Sequence, residues 1–212
     1  MRERGRLALL NRYQRAIERM DAKLLRFYEQ AARAGLWDDT LLVVASDHGE
    51  AFGEHELYFH DASVYETHLH VPLWVQHPAF AAREIDDVVS LRHVGELLCK
   101  AAARPATIAG TILDSSFRER HPIALAEHFH TPHVPKMQAR YRRNLAAAIS
   151  AERKVIVRGD ETLHFDLRRD PQERDGERAP IEVFCVRREP ATAFVQTSEH
   201  LRAFQDQFGR VA

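Results

Sequence analysis

Asp47 and His48 stand side by side just after an uninterrupted apolar run, Leu41-Leu42-Val43-Val44-Ala45. A carboxylate oxygen and an imidazole nitrogen are hard-to-borderline donors. They suit Zn, Mn, Mg or Ca according to the ligands that complete the set. A short run that is apolar at every position and rich in Val suits a strand buried on both faces, as in a parallel sheet. Groups just past the C-terminal end of such a strand sit where open α/β sheets place their ligands. Gly49 allows a sharp turn directly after the pair. Taken alone, the pair reads better as an Asp capping a turn beside a surface His. Two further clusters, His128-Phe129-His130-Thr131-Pro132-His133 and His68-Leu69-His70, have a metal-binding look. On a strand, His128 and His130 would share a face. A chain with 13 His makes such clusters by chance, and neither is expected to be an independent metal site.

The stretch 40–72 carries more than the pair. Asp47-His48-Gly49-Glu50 is followed by Gly53-Glu54-His55, His60, Tyr65-Glu66 and Val71-Pro72-Leu73, in that order. This resembles the sulfatase branch of the alkaline phosphatase superfamily. That branch carries a strand ending in S-D-H-G-E or S-D-N-G-E, then G-E-H, a Lys or His, Y-E and V-P-L. Upstream, Gly35-Leu36-Trp37-Asp38-Asp39-Thr40 is similar to the G-L-x-D-x-T passage of the family. Downstream, Phe165-Asp166-Leu167 with Asp170-Pro171-Gln172-Glu173 resembles its Y-D-L-x-x-D-P-x-E passage. The resemblance covers residues 13–177 and corresponds to the C-terminal portion of a family domain.

The resemblance implies an α/β fold: part of an alkaline phosphatase-like sandwich with a mostly parallel central sheet, plus a small C-terminal β-rich lobe. Residues 1–120 are expected to form the core with its metal loop. Residues 121–212 are expected to form the β-rich subdomain and a closing helix. The implied activity is hydrolysis of a small-molecule sulfate, phosphate or phosphonate ester with a divalent metal ion. Asp47 and His48 would be metal ligands. His60, where sulfatases commonly carry Lys, would contact substrate or serve as general acid when protonated. Glu54-His55 and Tyr65-Glu66 would shape and support the loop. The family's nucleophile lies in an early C/S-x-P-S-R motif, and no such motif occurs in these 212 residues. Neither Cys99 nor Cys185 has the flanking residues to replace it, so the chain alone is expected to be inactive. Two other functions fit the same motifs: a phosphoglycerol or phosphoethanolamine transferase of the superfamily, or a non-catalytic remnant used for binding or assembly. A lone half-domain would expose apolar faces and is expected to oligomerise.

The positioning elements follow from periodicity. Residues 2–34 form an amphipathic helix with Tyr13, Ile17, Met20, Leu24, Phe27 and Ala31 on one face. Gly35 is its C-cap. Strands are expected over 71–76, 85–90, 121–129 and 181–186, and a hairpin over 154–167 turns at Gly159-Asp160. Helices are expected over 92–103 and 198–208. Segment 137–149 fits either a helix or a strand near 145–149. Segments 105–120 and 175–180 read as loop and charged linker. Cys99 and Cys185 are too few and too separate for a disulfide framework and are expected in the core. Apolar residues make up 45% and charged residues 29%, which is ordinary globular composition. A net charge of -1 gives no basic field for nucleic acid or anionic lipid. No apolar run reaches membrane-span length, and no signal-peptide pattern opens the chain. The chain is expected to be soluble, in the cytoplasm or, behind an upstream signal, in the periplasm or secreted.

Overall fold

The computed structural model describes residues 3–60, 63–103, 108–129 and 144–180. Helix α1 spans Glu3–Arg33 and ends as its sequence predicts, at Gly35 with φ 69°. That left-handed conformation costs Gly little because it has no Cβ. A 3₁₀ turn, Leu36–Asp39, follows and anchors the helix end. Trp37 stacks on Tyr28 at 4.9 Å, and its indole N–H donates to the Tyr28 carbonyl. The expected apolar face of α1 is present but mostly uncovered. Ala31 is buried, whereas Ile17 and Met20 remain 47% and 60% exposed. The stripe meets protein through Tyr13 on Phe52 and Phe27 on Trp37. No other layer covers it among the described residues.

Strand β1 (Leu42–Ala45) pairs antiparallel with β4 (Leu73–Gln76), Val43 opposite Val75. The expectation of a strand buried on both faces is not met here, since Leu42 to Val44 are half-buried. One face of the ribbon, Leu41, Val43, Leu73 and Val75, packs on Leu97, Ile112 and Phe117. These three come from α3 (Val94–Ala103), the turn that follows it, and α4 (Ser115–Arg120). The other face carries Trp74, which is 56% exposed. Between β1 and β4 lie a two-residue hairpin, β2 (Ala51–Phe52) with β3 (Tyr58–Phe59), and a single helical turn, α2 (Glu66–Leu69).

The rest is a five-stranded antiparallel meander in chain order. Its strands are β5 (Ala124–His128), β6 (Leu145–Ile149), β7 (Arg153–Arg158), β8 (Glu161–Asp166) and β9 (Glu177–Pro180). Alternate residues on one face, Ala147, Ile149, Ile156, Leu163 and Phe165, form an apolar cluster with Val64. Leu69 and Tyr65 pack against it, so α2 sits on the sheet.

Several expectations change. Residues 85–90 form no strand and run irregularly into the 3₁₀ turn Leu91–His93. Segment 105–120 is not all loop: Asp114 accepts a hydrogen bond from the Ser116 amide and caps α4. Segment 175–180 is not a linker, because β9 pairs with β8, Leu163 opposite Arg178. Segment 145–149 resolves to strand. Cys99 is exposed rather than in the core. The expected strand 181–186, the helix 198–208, Cys185, His130 and His133 lie outside the described residues.

Candidate active site

Backbone hydrogen bonds carry the β1–β4 pairing one step further, with the Ser46 amide donating to the Pro72 carbonyl. The chain then turns. Ser46 Oγ donates to the His48 carbonyl at 2.8 Å, and the His48 amide donates to Asp47 Oδ1 at 3.0 Å. One carboxylate oxygen of Asp47 is thus tied, and the other, Oδ2, lies 3.6 Å from His48 Nε2. His48 Nδ1 lies 3.1 Å from the Gly49 carbonyl, an acceptor that selects the Nδ1–H tautomer and leaves Nε2 with a free lone pair. Asp47 is open to solvent and His48 is half open.

Gly49 has a requirement beyond turning. Its amide donates to the His68 carbonyl at 2.9 Å. A Cβ there would stand 2.0 Å from the Thr67 carbonyl oxygen, a backbone atom. Close approach to α2, rather than a positive φ, demands glycine at this position.

The loop returns His60 to the pair. The His48 and His60 rings stack with centroids 4.6 Å apart at 23°. His60 Nδ1 lies 3.1 Å from Glu50 Oε2, and Glu50 is mostly covered. The loop bends through left-handed residues, among them His55 at φ 51° and Phe59 at φ 66°. Glu54 Oε2 accepts from the Phe52 amide at 2.6 Å, and the His55 ring lies flat on Tyr65 at 3.7 Å. Burial pushes the His55 imidazole below its ordinary value. Both residues shape the loop, as their motif suggests.

Buried His68 donates from Nε2 to the Phe59 carbonyl at 2.9 Å, immediately before His60. His70 is exposed, with Nδ1 3.6 Å from Glu66. His68 and His70 therefore serve different neighbours. His128 ends β5 and lines the same open cleft as Asp47, His48 and His60, a cavity of about 1830 Å³. Among the described residues, no three His, Cys, Asp or Glu side chains group so as to hold a metal. The structure thus brings Asp47, His48 and His60 together, and adds Glu50, whose contact with His60 the spacing alone does not reveal.

A second polar cluster was not legible from the motifs. Lys154 of β7 is fully buried between Glu66 and Glu173. Glu66 and Glu173 belong to the Y-E and D-P-x-E motifs. Their partner sits in an apolar-looking strand, where a single Lys reads as an outward-facing residue.

The model of the Sulfatase family matches residues 2–94. Arylsulfatase K of Bos taurus is 30% identical over 166 residues, covering 72% of this chain and 30% of that protein. Arylsulfatase K of Rattus norvegicus is 28% identical over 170 residues, covering 72% of this chain and 29% of that protein. The chain therefore spans about 30% of the length of these curated relatives. Among solved structures, the phosphonate monoester hydrolase of Agrobacterium radiobacter aligns over 88% of this chain and 39% of its own, with a TM-score of 0.61 and 20% identity. BT4656, solved in complex with its substrate D-glucosamine-2-N,6-O-disulfate, aligns over 90% of this chain and 39% of its own, with a TM-score of 0.60 and 18% identity. The fold is that of part of these alkaline phosphatase-like structures, and the match to the Sulfatase model over residues 2–94, which contains the ordered motifs from Asp47 to Leu73, aligns this chain with the sulfatase family.

Proposed function

We propose that this chain supplies the Asp-His half of a metal-dependent site that hydrolyses a sulfate, phosphate or phosphonate ester, and that the nucleophile comes from outside these 212 residues. One observation carries this most directly. Asp47 Oδ2 and His48 Nε2 stand 3.6 Å apart at the end of β1, with His60 stacked on His48. Two donors at that separation fit neighbouring positions around one divalent cation with bonds of about 2.1 Å. Both donors are free for it, since Asp47 uses its other oxygen and His48 its other nitrogen within the loop.

A divalent ion, when bound, polarises the ester oxygen and lowers the pKa of the attacking group. The chain's own residues do the rest. Asp47 brings negative charge, and His48 must bind through a nitrogen without a proton, so acid weakens the site. Glu50 orients His60 by taking its Nδ1 proton as a hydrogen bond, leaving Nε2 for an ester oxygen. Nε2 donates only when the ring carries both protons. Glu54, His55 and Tyr65 hold the loop that brings His60 back to His48.

The same proposal divides the chain into a core segment, 1–120, that carries the metal loop, and a β-rich subdomain, 121–212. The opening of the meander at Ala124 supports that division. The uncovered apolar stripe of α1 supports self-association of the isolated chain. Among the described residues no helix is long and apolar enough to cross a membrane.

The test is turnover of 4-nitrophenyl sulfate and 4-nitrophenyl phosphate by the purified chain with Mn²⁺ or Ca²⁺. No turnover is expected. Turnover that Asp47→Ala abolishes would show that the nucleophile is within the chain and overturn its placement outside.

A further inference from the structure

Lys154 has no exposed surface, yet its amine-bearing side chain lies on the apolar cluster face of the meander. A buried ammonium persists only when paired. Its Nζ lies 2.7 Å from Glu66 Oε1 and 2.8 Å from Glu173 Oε1. Glu173 is itself buried and left-handed at φ 54°. It closes the cluster by accepting the Glu66 amide on Oε2 at 2.5 Å.

Charge neutrality would need only one of these carboxylates. The second belongs to a different part of the fold: Glu66 is the first residue of α2. What α2 touches on its other side is the metal loop. Its Thr67 and His68 carbonyls form the surface against which Gly49 lies, with the Gly49 amide donating to His68. The His68 ring donates to the Phe59 carbonyl, one residue before His60. A buried ion pair adds little net stability compared with apolar packing of the same volume. Joining two segments in one register is the use that this geometry serves.

We propose that Lys154, with Glu173, is a positioning residue for the site: it latches Glu66 and so fixes α2, the backbone on which the Asp47-His48-Gly49 turn and the His60 segment rest. The link to catalysis rests on the hydrolase function proposed above; the positioning itself does not.

The experiment reads amide hydrogen exchange and histidine ring-proton shifts on the full 212-residue chain without metal. Glu66→Gln leaves Lys154 paired with Glu173 and loosens only the latch. Exchange of the Gly49 amide is expected to rise about tenfold, with shifted His48 and His60 ring signals. The Ile156 and Leu163 amides of the meander should keep their rates. Lys154→Met should act in the same direction and more strongly; if it does not fold, Glu66→Gln decides alone. Glu152→Gln, which removes a surface pair with Arg168 in the same lobe, should leave Gly49 unchanged. Unchanged Gly49 exchange and ring shifts in folded Glu66→Gln would overturn the proposal. So would acceleration spread equally over the meander, which would mark the cluster as a general stabiliser. Failure of the hydrolase function would appear elsewhere, as a missing effect of added metal on His48.

Discussion

At the scale of single residues, the site depends on a close approach more than on any one interaction. Gly49→Ala would put a methyl group 2.0 Å from a backbone oxygen that no side-chain rotation can move. The turn or α2 must shift, and a loss of about 2 kcal/mol or more in unfolding free energy is expected, measurable by denaturant titration. His55 gives a pH dependence whose sign follows from burial. Its imidazole is held below the ordinary value of 6.5, so on acidification the unfolded chain takes up the proton first. Stability is therefore lost as pH falls from the ordinary value towards the lower, folded one. His55→Asn tolerates the left-handed backbone but removes the ring, and should flatten that part of a melting-temperature profile against pH. The strand end at Asp47 and His48 was legible because an apolar run stops there at polar donors, whereas His60 was singled out only by its place in the ordered motif that resembles the sulfatases. Glu50's bond to His60 was not, because it depends on how the loop closes. Lys154 was not, because nothing in a strand's alternation distinguishes a buried Lys from a solvated one until its partners are placed.

At the scale of elements, the sequence was readable wherever period and caps agreed. Helix α1 with its Gly35 stop and the hairpin turning at Gly159 have both signals. Helix α4 is too short for periodicity to show, and its one sign is Asp114 before Ser115 and Ser116. Asp114→Ala should unwind α4, loosen buried Phe117, and lower the melting temperature by a few degrees, about the usual effect of losing one cap. Strand β9 was hidden for a different reason. Glu177 and Arg178 are the charged residues with which an outer strand blunts pairing, so composition suggested a linker. Strand β1 was recognised, but its expected burial on both faces needs neighbours that are not among the described residues.

At the scale of the whole molecule, the chain matches about 30% of the length of its curated relatives, and among the described residues the apolar stripe of α1 is left largely uncovered. Light scattering of the isolated chain should show association that grows with concentration. The double variant Met20→Glu, Leu24→Glu should reduce it while preserving the helical circular dichroism signal. Scattering that is independent of concentration would show that the stripe is tolerated by a monomer.

The central claim is that Asp47 and His48 form half of a metal site with His60 beside it. It is tested most directly by adding Mn²⁺ to the chain and following the histidine ring signals by NMR. The His48 and His60 signals should broaden before those of His93 and His121, which lie by α3 and α4. The effect should weaken on acidification, because ligation needs an unprotonated imidazole nitrogen, and it should be lost in Asp47→Ala. Equal broadening of all four rings, or selective broadening that survives Asp47→Ala, would contradict the account.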